Sequence, residues 1–261
     1  METAFCANAA PAEGQAVCLA STNARSLPQR ARWPRIFPAW AAEVVSSNIV
    51  GYNKVTVPAG MTILGQQFVA VGGEVQDIQE IKGEGLADGG MDYLLIWDGS
   101  AYSDYYYYTE ADDINGDGTA AWGNLDWEPV NVEIAPGTGM WMNTQDASTV
   151  IFAGQVGSET EVSVTAGLNL VTQTLPMDIE LQDVKGEGLA DGGMDYILIW
   201  DGSAYADYYY YTEADDINGD GTAAWGNLDW EPVEVTLKAG NGFWFSAQND
   251  GKLIFPAVNA Q

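Results

Sequence analysis

Histidine is absent from the 261 residues of this chain, and nine Lys and Arg face 37 Asp and Glu, leaving a formal net charge of −28. Without an imidazole there is no Ser-His-Asp or Cys-His nucleophile system, no His general base and no His-ligated zinc. Any catalysis rests on carboxylates. Basic residues are too scarce to displace the counterions condensed on a nucleic-acid backbone, so nucleic acid and anionic membranes are poor partners. Cysteine occurs twice, as Cys6 and Cys18; the pair can close one small loop in an oxidising compartment but provides no disulfide framework. No apolar run approaches the roughly 18–20 residues that span a bilayer as a helix. What is present fills cores: 47% of residues are apolar and 11% aromatic, over a length sufficient for one large domain or two of about 100–150 residues. The acidity therefore describes a surface, not a disordered chain.

Charge divides the sequence. Residues 1–47 carry Arg25, Arg30, Arg32 and Arg35 against three acids, a balance of +1, whereas residues 48–261 hold five lysines against 34 acids, or −29. The first segment also contains both cysteines, Pro11, Pro28, Pro34 and Pro38, and has neither helical nor strand periodicity. It reads as a leader, arm or linker. Ala39-Trp40-Ala41 before Ala42-Glu43 has the A-x-A form of an export cleavage site with basic residues upstream, but the roughly 7–15-residue apolar stretch of a signal peptide is missing between Arg35 and Ala39. Either the segment is removed on export or it is retained as an arm. Retained, it is the natural connector for self-association: its arginines match acidic faces, and its apolar residues Ile36–Trp40 and Val44–Val45 suit strand addition to a neighbour's sheet edge.

An internal repeat organises the rest. Displaced by 103 residues, Lys82–Val130 aligns with Lys185–Val233 over 49 positions with two differences, Leu94/Ile197 and Ser103/Ala206. The same offset pairs Gly137-Thr-Gly-Met-Trp141 with Gly240-Asn-Gly-Phe-Trp244. Upstream the register shifts by four, so that Val55-Thr-Val-Pro-Ala-Gly60 matches Val162-Ser-Val-Thr-Ala-Gly167. Eight of the ten tryptophans fall into equivalent pairs: Trp97/Trp200, Trp122/Trp225, Trp127/Trp230 and Trp141/Trp244. The expected organisation is residues 1–47 followed by two copies of one module, 48–156 and 157–261.

Within a module, short β-rich runs (Lys54–Val57, Thr62–Ala70, Tyr93–Trp97, Tyr102–Thr109, Val130–Ile134, Gly139–Asn143, Thr149–Phe152) are separated by Gly, Pro, Asp and Asn clusters. Period-2 alternation in Val55/Val57 and Val130/Val132/Ile134, with no sustained 3.6-residue period, predicts an all-β chain of two tandem β-sandwich or open-barrel modules. The opening Ser47-Asn-Ile-Val-Gly-Tyr52, Pro58-Ala-Gly60, the central aromatic hairpin, and Pro136-Gly-Thr-Gly-Met-Trp141 with Phe152-Ala-Gly-Gln-Val156 resemble a class of exported bacterial β-repeat modules, over about residues 48–261. The second copy lacks a clear equivalent of the opening motif. The resemblance implies export to the cell surface or medium and a modular build, and it carries over no catalytic residues.

The sharpest motif is Asp113-Ile-Asn115-Gly-Asp117-Gly118-Thr119, repeated as Asp216-Ile-Asn218-Gly-Asp220-Gly221-Thr222. Oxygen donors at positions 1, 3 and 5, Gly at 6 and a carbonyl at 7 are what a Ca²⁺ loop requires, and the motif resembles the first half of dockerin and EF-hand loops. It departs at position 12, where Asn124 and Asn227 stand in place of the bidentate acid; Asp112 or Asp126, and Asp215 or Asp229, are the candidates to supply it. The alternative is a solvated Asn-Gly/Asp-Gly turn with no metal. A second constellation is aromatic: Trp97, Tyr102, Tyr105 and Tyr107, mirrored by Trp200, Tyr205, Tyr208 and Tyr210. Four consecutive tyrosines on a strand face both ways, about two buried and two not. Exposed rings beside carboxylates stack neutral sugar rings or make protein contacts, and buried ones are core. Glu110, Asp112 and Glu128 are available as a glycosidase pair, but 22 of the 37 acids lie in the two near-identical 49-residue stretches, so no pair stands out. Gly83-Glu-Gly85-Leu-Ala-Asp-Gly89-Gly90 places acids where a phosphate would sit and reads as a loop. The expected function is that of an exported, calcium-stabilised structural or adhesive repeat protein, extracellular or at the cell surface and self-associating; a tandem carbohydrate-binding protein is second and a carboxylate-only glycosidase third.

Overall fold

The computed structural model describes residues 50–73, 75–157 and 160–257; the N-terminal segment with its cysteines, arginines and A-x-A site lies outside them. Alternating valines build the first strand. In β1 (Val50–Val57) the side chains of Val55 and Val57 are buried while Lys54 and Thr56 face solvent, as a pleated strand covered on one side requires. There follow β2 (Gly60–Gly65), β3 (Phe68–Val69), β4 (Gln76–Asp77), β5 (Lys82–Glu84), β6 (Tyr93–Trp97), β7 (Tyr102–Tyr108), β8 (Ala121–Gly123), β9 (Glu133–Ile134), β10 (Gly139–Thr144) and β11 (Ser148–Val156). β1, β3 and β5 pair with β11, β4 pairs with β9, and the largest sheet runs β2-β10-β6-β7-β8.

The second half repeats this order. β12 (Glu161–Val164), β13 (Gly167–Thr172), β14 (Ile179–Glu180), β15 (Lys185–Glu187), β16 (Asp195–Trp200), β17 (Tyr205–Tyr211), β18 (Ala224–Gly226), β19 (Thr236–Leu237), β20 (Gly242–Ala247) and β21 (Gly251–Ile254) form sheets β12-β21-β15, β14-β19 and β13-β20-β16-β17-β18. β3 has no counterpart. Pro176 stands at the position of Val69 and brings no N–H to a ladder. The chain is thus nearly all β, in small antiparallel sheets set in a propeller-like arrangement, with no α-helix among the described residues. No helix there is long and apolar enough to cross a membrane.

Most of the β-rich runs in the sequence are strands. Thr62–Ala70 is broken in two by the buried Gln66 and Gln67. Val130–Ile134 contributes only β9, because Val130 N–H is drawn to Trp122 C=O and Val132 C=O accepts from Ile78. The short β4, β5 and β8 and the 3₁₀ turns Ile78–Glu80 and Leu181–Asp183 carry too few residues to show a period.

Each half has its own core, around Phe68, Leu94, Trp122, Met140 and Phe152 in the first and Ile197, Trp225, Phe243, Phe245 and Leu253 in the second. A third cluster joins them: Ile63, Trp141, Leu170 and Trp244, flanked by Met61, Leu95, Trp97, Leu198 and Trp200. Every ladder stays within one half, and across the seam the backbone and indole hydrogen bonds are made twice with roles exchanged. Gly65 N–H donates to Gly240 C=O (2.8 Å) and Thr172 N–H to Gly137 C=O (2.9 Å). Trp97 Nε1–H donates to Leu168 C=O and Trp200 Nε1–H to Met61 C=O, both at 3.0 Å. Leu64 bridges Asn241, and Val171 bridges Thr138. This is the isologous pattern of a twofold dimer, built within one chain.

Glycine makes the approach feasible. A Cβ at Gly139 would lie 2.8 Å from the backbone N and O of Val171, and one at Gly242 would lie 2.6 Å from Leu64 O. Gly139→Ala and Gly242→Ala are therefore each expected to destabilise the protein by about 1–3 kcal/mol through forced backbone shifts, read as a lower midpoint in urea denaturation. A midpoint unchanged in both variants would show that the seam is loose.

Candidate functional site

Two turns at the far end of β7 carry most of the chemistry suggested by the sequence. In the 113–119 loop Asp113, Gly116 and Gly118 all have left-handed backbones (φ 45°, 73° and 76°), which coils the chain tightly. Its polar groups close on one another. Asp113 Oδ1 accepts from Gly118 N–H (2.7 Å), Asp117 Oδ1 accepts from Thr119 N–H (2.9 Å) and Oγ1–H (2.6 Å), and Asn115 Nδ2 donates to Thr119 Oγ1 (2.8 Å). Asp216, Asn218, Asp220 and Thr222 repeat the set. The Thr119 hydroxyl and N–H hold the Asp117 carboxyl below its usual range.

The carboxylates nominated to complete a calcium shell are placed differently. Asp112 caps the end of β7, accepting from Thr109 N–H (2.7 Å), Thr109 Oγ1–H and Gly89 N–H (3.0 Å); desolvation pushes its pKa up, and these donors more than offset it. Asp215 does the same with Thr212 and Gly192. Asp126 and Asp229 sit in the next turn. Among the described residues no three Cys, Asp or Glu side chains converge as a metal group. The oxygen-bearing side chains that do share one loop are Asp113, Asn115, Asp117 and Thr119, and their copies Asp216, Asn218, Asp220 and Thr222.

Asn124, at position 12 of the loop motif, has another task. Its Oδ1 accepts from Asp126 N–H and Glu128 N–H, both at 3.0 Å, its N–H donates to Glu128 C=O (3.0 Å), and its C=O accepts from Trp127 N–H (3.2 Å) and Tyr108 Oη–H (2.9 Å). This Asx clamp folds a turn in which Trp127 takes φ 62°, an outlier for a bulky residue. The Trp127 ring lies on the buried Tyr108, with centroids 4.9 Å apart, and stays 51% exposed. Asn227, Trp230 and Tyr211 repeat the arrangement. Burial first, then the Asp112 and Asp126 carboxylates, raises the Tyr108 phenol pKa. An Asn two and four residues ahead of the N–H groups it caps was the sequence signal for this turn.

The aromatic constellation separates into core, seam and surface. Tyr107 and Tyr210 are core, 6% and 4% exposed, edge-on to Trp122 and Trp225 at 5.1 Å; they offer no surface. Tyr105 and Tyr208 are half-buried against the two cores. Two of the four consecutive tyrosines are buried, as expected, but they are neighbours, Tyr107 and Tyr108, because both faces of the strand are covered at that end. Trp97 and Trp200 belong to the seam, edge-on to Trp244 (5.8 Å) and Trp141 (5.9 Å) of the opposite half. Tyr102 and Tyr205, 43% and 42% exposed, stack on them at 5.0 Å. Aromatic residues of both copies thus meet at one seam. Sequence reasoning also missed Asp92 and Asp195, wholly buried carboxylates that pin two loops each: Asp92 accepts from Ala87 and Gln145 N–H, and Asp195 from Ala190 and Gln248 N–H.

Comparison with family models, with curated proteins and with solved structures finds no match to this chain.

On β7 and β17 the phenols of Tyr106 and Tyr209 donate to Asp104 and Asp207, and this hydrogen bond, with partial burial and the carboxylate's charge, pushes each pKa up to about 12. The folded value lies above the ordinary one of about 10, so between those pH values the folded state keeps protons that the unfolded chain has lost. The resulting stabilisation is complete below about pH 10 and is lost as pH rises through about 12. Phenolate absorbance titration is expected to show two tyrosines per chain ionising near pH 12, and Asp104→Asn with Asp207→Asn to return both toward 10. Identical titrations for the variant and parent chains would refute the assignment.

Proposed function

We propose that this chain is an exported, calcium-stabilised structural or adhesive protein, made of two tandem β-modules (48–156 and 157–261) that act outside the cell or at its surface. The observation that carries the reading is the seam, where contacts made twice with exchanged roles hold two near-identical loop faces in one fixed relation. Duplicated faces make the second attachment effectively intramolecular; catalysis needs only one site. Carboxylate chemistry supports the same side. Asp98, Asp112, Asp117, Asp178, Asp201 and Asp220 are all held below their usual pKa, whereas a glycosidase acid must be raised. Of the glycosidase candidates, Asp112 is occupied by three donors.

Calcium enters as a stabiliser of the Asp113–Thr119 and Asp216–Thr222 loops, supplying charge neutralisation to acids that otherwise repel one another. Self-association would use the outer edges of β1 and β12, each last in its sheet among the described residues, where a neighbour's extended segment can add a strand. Residues 1–47 carry the charge to match an acidic face. The carbohydrate-binding reading is favoured by one observation, the exposed Tyr102 and Tyr205 at the seam, which there form one composite surface for a neutral glycan.

Two measurements test the proposal. Calcium is expected to raise the melting temperature relative to EDTA, and superimposed melting curves with no calorimetric binding would reduce the loops to ordinary turns. In calcium, light scattering and negative-stain microscopy are expected to show assemblies of the full chain and fewer or none for a chain starting at Ala42. Monomers of both at high concentration would sink the assembly reading, and a glycan-array hit lost on Tyr102→Ala would favour the second one.

A further inference from the structure

Besides Tyr52 of β1, Trp127 and Trp230 are the exposed aromatic residues that the seam and the cores do not account for. Each indole is half exposed, yet its backbone is held at a left-handed φ by the Asn124 or Asn227 clamp and its ring packs at a tilt on a buried tyrosine. A ring packed on a neighbour, on a constrained backbone and still half exposed, is a platform, since part of the conformational entropy is lost before any contact. β7 runs seven residues from Tyr102 at the seam to Tyr108, so the platform stands about 20 Å from the seam along the strand. Its surroundings are acceptors. Asp126 and Glu128 flank Trp127 in the turn, Asp112 lies behind Tyr108, and Lys82 is the only cation in the 49-residue stretch, which holds 11 acids.

We propose that each turn binds one ring of a glycan that carries free amino groups, a polyglucosamine in chemical class, with the indole stacked on the sugar face and Asp126 and Glu128 (Asp229 and Glu231) accepting from its ammonium and hydroxyl groups. The inference rests on the bivalent adhesive reading and names its ligand. Charge selects the class: a body of −29 draws a polycation and repels acidic glycans. Shape selects the ring: sites for isolated quaternary ammonium groups enclose the cation with several aromatic walls, whereas here each turn exposes a single indole. Repetition fits a polymer, because two equal sites held in a fixed relation can engage one strand together.

The test uses the full chain and a fully deacetylated glucosamine hexamer, followed by calorimetry and indole fluorescence. Binding is expected with quenching, and Trp127→Gly with Trp230→Gly is expected to weaken it at least about tenfold. Glycine accepts φ near 62° without strain, so an unchanged melting curve certifies the fold. Asp126→Asn with Asp229→Asn, which keeps both indoles, is expected to weaken binding several-fold. Unchanged affinity in the tryptophan pair, equal binding of the N-acetylated hexamer, or tighter binding of hexa-arginine would each overturn the proposal. Calcium-dependent assembly that persists without any glucosamine binding would overturn this site and leave the bivalent reading standing.

Discussion

Backbone-to-backbone contact at Gly139 and Gly242 is the constraint on which the rest of the structure depends. β10 and β20 are central in their halves, each pairing on both sides within its own sheet, and at one end each also meets a strand of the other half with no side chain between them. That approach lets Gly65 and Thr172 donate across the seam and brings Trp97 and Trp200 over the opposite β13 and β2. The indole N–H groups, which burial would otherwise leave unpaired, find carbonyls there. Gln67 reinforces one side, accepting from Asn53 and from Gly240 N–H and donating to Leu175 C=O. Its counterpart is Thr174, too short to reach, and Thr174 Oγ1 and the neighbouring Gln173 Oε1 find no partner among the described residues. The pair is twofold in its backbone and unequal in its polar ties.

Such an acidic chain folds because many of its carboxylates are spent on its own backbone. Asp92, Asp98, Asp112, Asp113 and Asp117 accept from N–H groups of the loops they begin or close, and the second half does the same with Asp195, Asp201, Asp215, Asp216 and Asp220. Charge-assisted bonds of this kind are stronger than neutral ones, and they stabilise loops that contain little apolar surface. The described ion pairs, Lys54–Glu84, Lys238–Asp178 and Lys252–Glu161, are largely exposed and contribute little by comparison.

Much of this was legible in the sequence. The 103-residue repeat and the valine alternation of β1 announced the β class and the recurrence of strand order, since period and repetition are properties of the sequence itself. The seam was not legible. Gly139 and Trp97 look like an ordinary strand glycine and an ordinary exposed aromatic until the two halves are placed together, because the contacts join residues about 30–180 positions apart that share no local pattern. Asn124 was misread in a different way: set against a calcium-loop template it marked a missing ligand, whereas its side chain caps its own turn. Local Asx chemistry competes with any metal motif built from the same residue types.

The halves are nearly identical through residues 82–130 and 185–233, in core and loops alike, and differ mainly outside that stretch. Phe68, Met140 and Met142 in one core correspond to Leu175, Phe243 and Phe245 in the other, a trade in which aromatic volume moves from one strand to another while the total changes little. The loops of residues 85–92, 109–120 and 124–129 are the same in both halves, including side chains that face only solvent. Packing does not demand that sameness, since exposed substitutions away from special backbone positions shift stability by no more than about 0.5 kcal/mol. The seam holds these equal loops in one fixed relation, so whatever they present is presented twice by one chain.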